Sequence, residues 1–166
     1  MVQEIYVDNL KEILRNKKII EKKLKIKITN RGKNVFVEGS GEQEFIATEV
    51  LQAVNLGFSS DAALRIGEEN ALLQTLNIKD IVKRNDLERV RARIIGTKGK
   101  TLKTLAHLTS CQLSLHDNQI GIIGPAHEIE DAKQAVISLI QGRKQGNVYS
   151  RLERQRKKKN TEPDLV

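Results

Sequence analysis

The stretch Ile94-Ile95-Gly96-Thr97-Lys98-Gly99-Lys100-Thr101 decides how this chain is read. Two glycines lie three residues apart between apolar-patterned segments, with two lysines and no acid among them. Gly99-Lys100-Thr101 fits the end of a nucleoside-triphosphate P-loop, G-x-x-x-x-G-K-[ST]. The first glycine of that motif would fall on Ile94, so the loop is too short. A dinucleotide loop needs G-x-G-x-x-G and a parallel sheet, and the spacing rules it out. A plain helix junction would use the glycines for tight geometry and leave the lysines without a role. The remaining reading is an anion clamp. Glycines let the backbone approach phosphates, the following helix offers free N–H groups, and Lys98 and Lys100 add charge.

The flanks place this loop in a repeating unit. Downstream, Lys100–Ser110 predicts a helix with Leu102, Leu105, Ala106 and Leu108 apolar. Gln112–His116 predicts a strand with Leu113 and Leu115 on one face. Asp117-Asn118 is a tight turn, Ile120–Ile123 the return strand, and Gly124-Pro125 its end before a helix over Ala126–Gly142. Upstream, Leu87–Ile94 alternates as L-E-R-V-R-A-R-I and predicts a strand with Arg89, Arg91 and Arg93 on its solvent side. The same order runs through the first part of the chain. Glu4–Val7 predicts a strand and Leu10–Lys23 a helix. Leu24–Ile28 and Asn34–Glu38 predict strands around a turn at Thr29-Asn30-Arg31-Gly32. Glu42–Val54 predicts a helix with Phe45, Ile46, Val50, Leu51 and Val54 as its apolar positions. A shift of 85 superposes Gly39 on Gly124 and Leu51 on Val136. Where the first copy should carry the loop, around Asp8-Asn9-Leu10-Lys11-Glu12, it has no glycine pair.

With these flanks the second copy resembles a type I KH domain, whose G-x-x-G loop clamps about four nucleotides of single-stranded RNA or DNA. The first copy resembles a degenerate KH domain. The resemblance implies an α+β fold: two type I KH folds (βααββα) in tandem, each a three-stranded sheet with helices on one face, packed through a structured linker. The expected division is a degenerate domain at 1–57, a structured inter-domain segment at 58–86, an RNA-binding domain at 87–142, and a basic C-terminal element with a disordered tail at 143–166. Gly96, Thr97, Lys98 and Gly99 would hold the RNA backbone, with charge from Lys100 and Lys103. Ile94, Ile95, Leu113 and Leu115 would form an apolar floor for the bases, and Arg89, Arg91 and Arg93 would extend the basic surface. Tyr149 and Leu152 would anchor the start of the C-terminal element on the second domain, in preference to an RNA contact by Tyr149. Arg151 and Arg154, in the cationic run to Lys159, would add sequence-independent affinity from a frayed helix or a disordered arm. The basic stretch Lys11 to Lys27 of the first copy either touches RNA non-specifically or is a solvated face.

Over residues 4–159 the chain resembles a narrower family, the archaeal tandem-KH ribosome-assembly proteins. These are relatives of the eukaryotic small-subunit KH assembly factor that partners the Nob endonuclease. Asn55-Leu-Gly-Phe-Ser-Ser-Asp-Ala-Ala-Leu64, Arg93-Ile-Ile-Gly-Thr-Lys-Gly-Lys-Thr101 and Gly146-Asn-Val-Tyr-Ser-Arg-Leu-Glu-Arg-Gln-Arg-Lys157 carry the likeness. It implies a non-enzymatic, cytoplasmic protein that binds single-stranded RNA near the 3′ end of 16S rRNA through its second domain. It also implies contact with that endonuclease and with the alpha subunit of initiation factor two, and no cofactor. The alternative within the same class is a general KH protein of RNA decay or translation, like an exosome cap.

Composition agrees. The chain has 166 residues, 39% hydrophobic and 30% charged, a formal net charge of +8, and only three Phe, two Tyr and no Trp. That is enough apolar material for a core. No apolar run reaches membrane-spanning length, no signal-peptide pattern opens the chain, and a single cysteine favours a reducing compartment. The charge is concentrated. Residues 89–104 carry +6 with no acid, 143–159 carry +7, and 34–88 carry −6. His107, Cys111 and His116 are close in sequence, but one cysteine and no nearby carboxylate make a poor zinc set.

Overall fold

A computed structural model describes residues 2–68, 70–83 and 85–161. The chain divides into two units, residues 1–73 and 74–166. Each holds a three-stranded antiparallel arrangement in which the third strand of the unit lies in the middle.

In the first unit β1 (Val2–Tyr6) leads directly into α1 (Leu10–Leu24). β2 (Lys27–Arg31) and β3 (Asn34–Glu38) follow, then α2 (Gly41–Asn55) and a short α3 (Ser60–Leu64). The strand order is β1-β3-β2, with Ile5 opposite Val35 and Ile28 opposite Val37. Ile13 and Ile20 of α1, Ile28, Val35 and Val37 of the sheet, and Val50, Leu51 and Val54 of α2 are fully buried. One helix stands here where the βααββα order has two. Two expectations shift. Leu24 ends α1 instead of opening a strand, because Lys25 takes a left-handed conformation (φ 55°) and donates its N–H back to the Glu21 carbonyl. Without a glycine to mark that stop, the L-K-I-K-I alternation ran the strand too early. Phe45 is 70% exposed, and α2 buries Glu44 in its place. The Glu44 carboxylate accepts the Gly39 N–H at 3.1 Å, which explains an acid on the inner face.

The second sheet has the order β4-β6-β5, from β4 (Ala71–Asn77), β5 (Gln112–His116) and β6 (Gln119–Pro125). Between β4 and β5 run a one-turn α4 (Ile78–Ile81), α5 (Leu87–Ile95), a 3-10 turn over Thr97–Gly99, and α6 (Lys100–Thr109). α7 (Ala126–Ile140) and α8 (Gln145–Thr161) complete it. Val90, Ile94, Leu105, Ile120, Ile122, Val136, Leu139 and Ile140 form the core, closed by Val148 and Leu152 of α8.

Three expectations are overturned. Leu87–Ile94 is helix and not strand. Its buried positions are Val90 and Ile94, four apart, and the alternation of arginines concealed that helical spacing. The edge strand is supplied by Ala71–Asn77, so the second unit takes in residues 74–86, a stretch the sequence reading assigned to the joining segment. The cationic run Arg151–Lys159 is an ordered part of α8, neither frayed nor an arm. Val148 and Leu152 are each 4% exposed, and Lys159 bonds Asp131 at 2.6 Å and Glu128 at 3.2 Å. Of the expected disordered end, Asn160 and Thr161 are helical and 162–166 lie outside the described residues. Among the described residues no helix is long and apolar enough to cross a membrane.

Candidate nucleic-acid interface

The loop between α5 and α6 is built by two glycines with different duties. Gly96 lies at φ 74°, ψ 175°, a conformation essentially confined to glycine. Its N–H closes α5 on the Ala92 carbonyl at 2.8 Å, and its own carbonyl accepts the Gly99 N–H at 3.2 Å. A Cβ on Gly96 would collide with the Thr101 side chain and come within 2.8 Å of the Thr101 backbone nitrogen. Gly99 is left-handed (φ 72°) with open space beside it, and Lys98 is also left-handed (φ 55°).

This geometry leaves the start of α6 open. Gly99 is the N-cap of α6, so no side chain caps the first turn. The helix therefore begins with its backbone donors and positive end unclaimed by side chains. Thr97, Lys98, Lys100 and Lys103 are all exposed around it. Thr101 is buried, and its hydroxyl accepts from the Gln145 amide at 3.0 Å, tying the start of α8 to the loop.

On one side of the loop lies the expected floor. Ile95 is exposed, and Leu113 and Leu115 are half-buried on the edge strand β5. Ile94 is fully buried, so it supports this surface from beneath and cannot meet a base. Arg91 reaches across, its guanidinium donating to Asn118 Oδ1 at 2.8 Å on the β5–β6 turn. The three arginines do not share a face as a strand would have arranged them. Arg93 turns away and donates to the Arg143 carbonyl at 3.2 Å, and Arg89 is exposed.

On the other side is a groove of about 540 Å³ lined by Arg89, Arg93, Gly96, Thr97, Lys100, Thr101 and Thr104, with Gln145 and Tyr149 of α8. Nothing in the sequence marks Gln145 or Thr104, whereas Tyr149 is expected as an anchor of the C-terminal element and here also lines the groove. The docking of α8 through Val148, Tyr149 and Leu152 brings Gln145 and Tyr149 to the loop. Arg151 and Arg154 are exposed on α8, but Arg151 lines a smaller cleft against α7. His107, Cys111 and His116 do not assemble as a ligand set among the described residues. Cys111 is buried, and burial pushes its thiol up to about 11, with a Thr109 hydrogen bond opposing. Lys159 is held protonated, because its bonds to Asp131 and Glu128 outweigh its partial burial.

Comparison with known proteins points the same way. A family model described as Eukaryotic type KH-domain (KH-domain type I), that of the second KH domain of PNO1, matches residues 72–157. A KH domain-containing protein of Methanocaldococcus jannaschii is 30% identical over 149 residues, covering 86% of this chain and 66% of that protein. The pre-rRNA-processing protein pno1 of Schizosaccharomyces pombe is 35% identical over 107 residues, covering 63% of this chain and 44% of that protein. The chain thus spans about two thirds of the archaeal relative and less than half of the yeast one. The crystal structure of Dim2p from Pyrococcus horikoshii is similar with a TM-score of 0.85 and 31% identity, over 93% of this chain and 99% of that one. A structure of an a/eIF2alpha–aDim2p–rRNA complex from the same organism contains a chain with a TM-score of 0.87 and 30% identity, over 95% of each.

Proposed function

Because this chain belongs to the PNO1 family of type I KH-domain proteins, we propose that it is a non-enzymatic RNA-binding factor of small ribosomal subunit maturation. Its second unit holds single-stranded rRNA near the 3′ end of the 16S molecule. The observation that carries this reading is the Gly96–Gly99 loop, with its uncapped α6 start, glycine-only backbone and ring of exposed lysines. Phosphates meet backbone N–H groups and Lys98, Lys100 and Lys103, while bases lie against Ile95, Leu113 and Leu115. The first unit has no such loop and does not clamp a backbone in this way. The rRNA and a/eIF2alpha of the Pyrococcus complex are the partners this reading extends to the present chain. The Nob-type endonuclease is a further partner expected from the family resemblance.

The test replaces Thr97 and Lys98 together by aspartate. Both are exposed, and aspartate tolerates the left-handed backbone at position 98. The melting temperature should stay unchanged. Affinity for an oligonucleotide from the rRNA 3′ end should fall about tenfold or more. Unchanged affinity with an intact fold rejects the loop as the binding site.

A further inference from the structure

The groove on the α8 side of the loop is cationic and lies away from the floor of Ile95, Leu113 and Leu115. Its lining carries Arg89, Arg93 and Lys100 and no acidic side chain. Arg89 and Lys100 are exposed, and neither has an ion pair among the described residues. Tyr149 contributes a half-buried ring held against the core, and Gln145, Thr97 and Thr104 supply polar atoms. Aromatic surface packed beside exposed cations suits a nucleotide, whose base stacks while its phosphate is neutralised. An acidic peptide would use the cations but would leave the ring without a planar partner. The volume of about 540 Å³ lies in the range of sites for small organic molecules.

The groove is also continuous with the loop. Gly96 and Thr97 belong to both. On α5, Arg89 and Arg93 are four residues apart and face this groove, whereas Arg91 points the opposite way to Asn118. A strand clamped at Gly96–Gly99 has only to pass over Thr97 to enter it.

We propose that this groove is a second RNA track. It receives the nucleotide flanking the clamped segment, with its base against Tyr149 and its phosphate between Arg89 and Lys100. The proposal rests on the loop being the RNA clamp, and the experiment separates the two ideas. Three labelled RNAs from the rRNA 3′ end are titrated. One is a core of about five nucleotides, and two extend it to about ten, one on the 5′ side and one on the 3′ side. Arg89→Glu should weaken one extended RNA about tenfold and leave the core RNA within about twofold. Its log–log salt slope on that RNA should become shallower by about 0.7. Tyr149→Leu should weaken the same RNA, and Tyr149→Phe should not. Arg89 is exposed, so its variant keeps the fold. Binding of all three RNAs by Arg89→Glu as tightly as by the natural chain, or equal loss on all three, overturns the proposal. So does binding of polyglutamate to the natural chain that Arg89→Glu abolishes and that neither extended RNA displaces, which would make the groove a site for acidic peptide. The Thr97→Asp, Lys98→Asp variant serves as the control for the clamp. If it weakens all three RNAs while Arg89→Glu weakens none, the second track fails and the clamp stands.

Discussion

A methyl group added at Gly96 would meet Thr101 in a backbone conformation that side chains do not adopt, whereas one added at Gly99 would meet open space. The two glycines of one motif therefore differ in kind. Gly96→Ala should cost about 3 kcal/mol or more in urea denaturation, from the clash and the backbone together. Gly99→Ala should cost about 1 kcal/mol, from its left-handed φ alone. Equal losses would mean that Thr101 yields to the added methyl. Cys111 carries a pH dependence. Its thiol titrates near 11 in the fold, against about 8.5 in an unfolded chain. The folded state keeps this proton longer, so the stabilisation is complete below about pH 8.5 and is lost as pH rises through 11. Denaturation of the natural chain and of Cys111→Ala between pH 8 and 11 should show the difference between them shrinking with pH. The loop residues were legible from glycine spacing and charge. The burial of Ile94 was not, because adjacent isoleucines look alike until a helix assigns one of them inward.

At the scale of elements, α5 shows why periodicity misled. Arginine at every second position imitates a strand, yet Val90 and Ile94 are the residues the core takes. The correction changes chemistry as well as shape, because a helix sends Arg89 and Arg91 to opposite sides of the loop. β3 was read to the residue, since N-V-F-V-E alternates between clear turns. The end of α1 was not, since Lys25 caps it where glycine is usual. In α8 the anchor Leu152 is legible, but the charges beyond it outnumber the apolar residues and hide how far the helix continues. The burial of Leu152 makes a definite contrast. Leu152→Ala should cost about 2–4 kcal/mol. Lys159→Ala, which removes a pair whose lysine is 40% exposed, should cost less than about 1 kcal/mol. Chemical denaturation of both variants checks the order, and a larger loss at Lys159 would show that the ion pairs hold the helix.

For the whole molecule, the net charge of +8 says little beyond an anionic partner, whereas its distribution indicates a place. The acid-free stretch 89–104 is wound around the loop, and α8 is docked beside it. The repeat was legible because both copies share the hairpin and following helix. The start of the second unit was not, because β4 is a partly exposed edge strand whose only sheet neighbour is β6, far along the chain. A fragment beginning at residue 71 should therefore give a dispersed amide spectrum typical of a folded domain. One beginning at residue 87 should not, since it leaves β6 without a partner on one side. A dispersed spectrum from the shorter fragment would show that β4 is dispensable. The same strand sets an order of events in time. β5 and β6 meet across the two-residue turn Asp117-Asn118 and need little chain entropy to pair. β4 must wait until α4, α5, the loop and α6 have been drawn together behind it. The Gly96–Gly99 loop lies inside that closing segment, so the pairing that completes the sheet is also the one that encloses the loop between its strands.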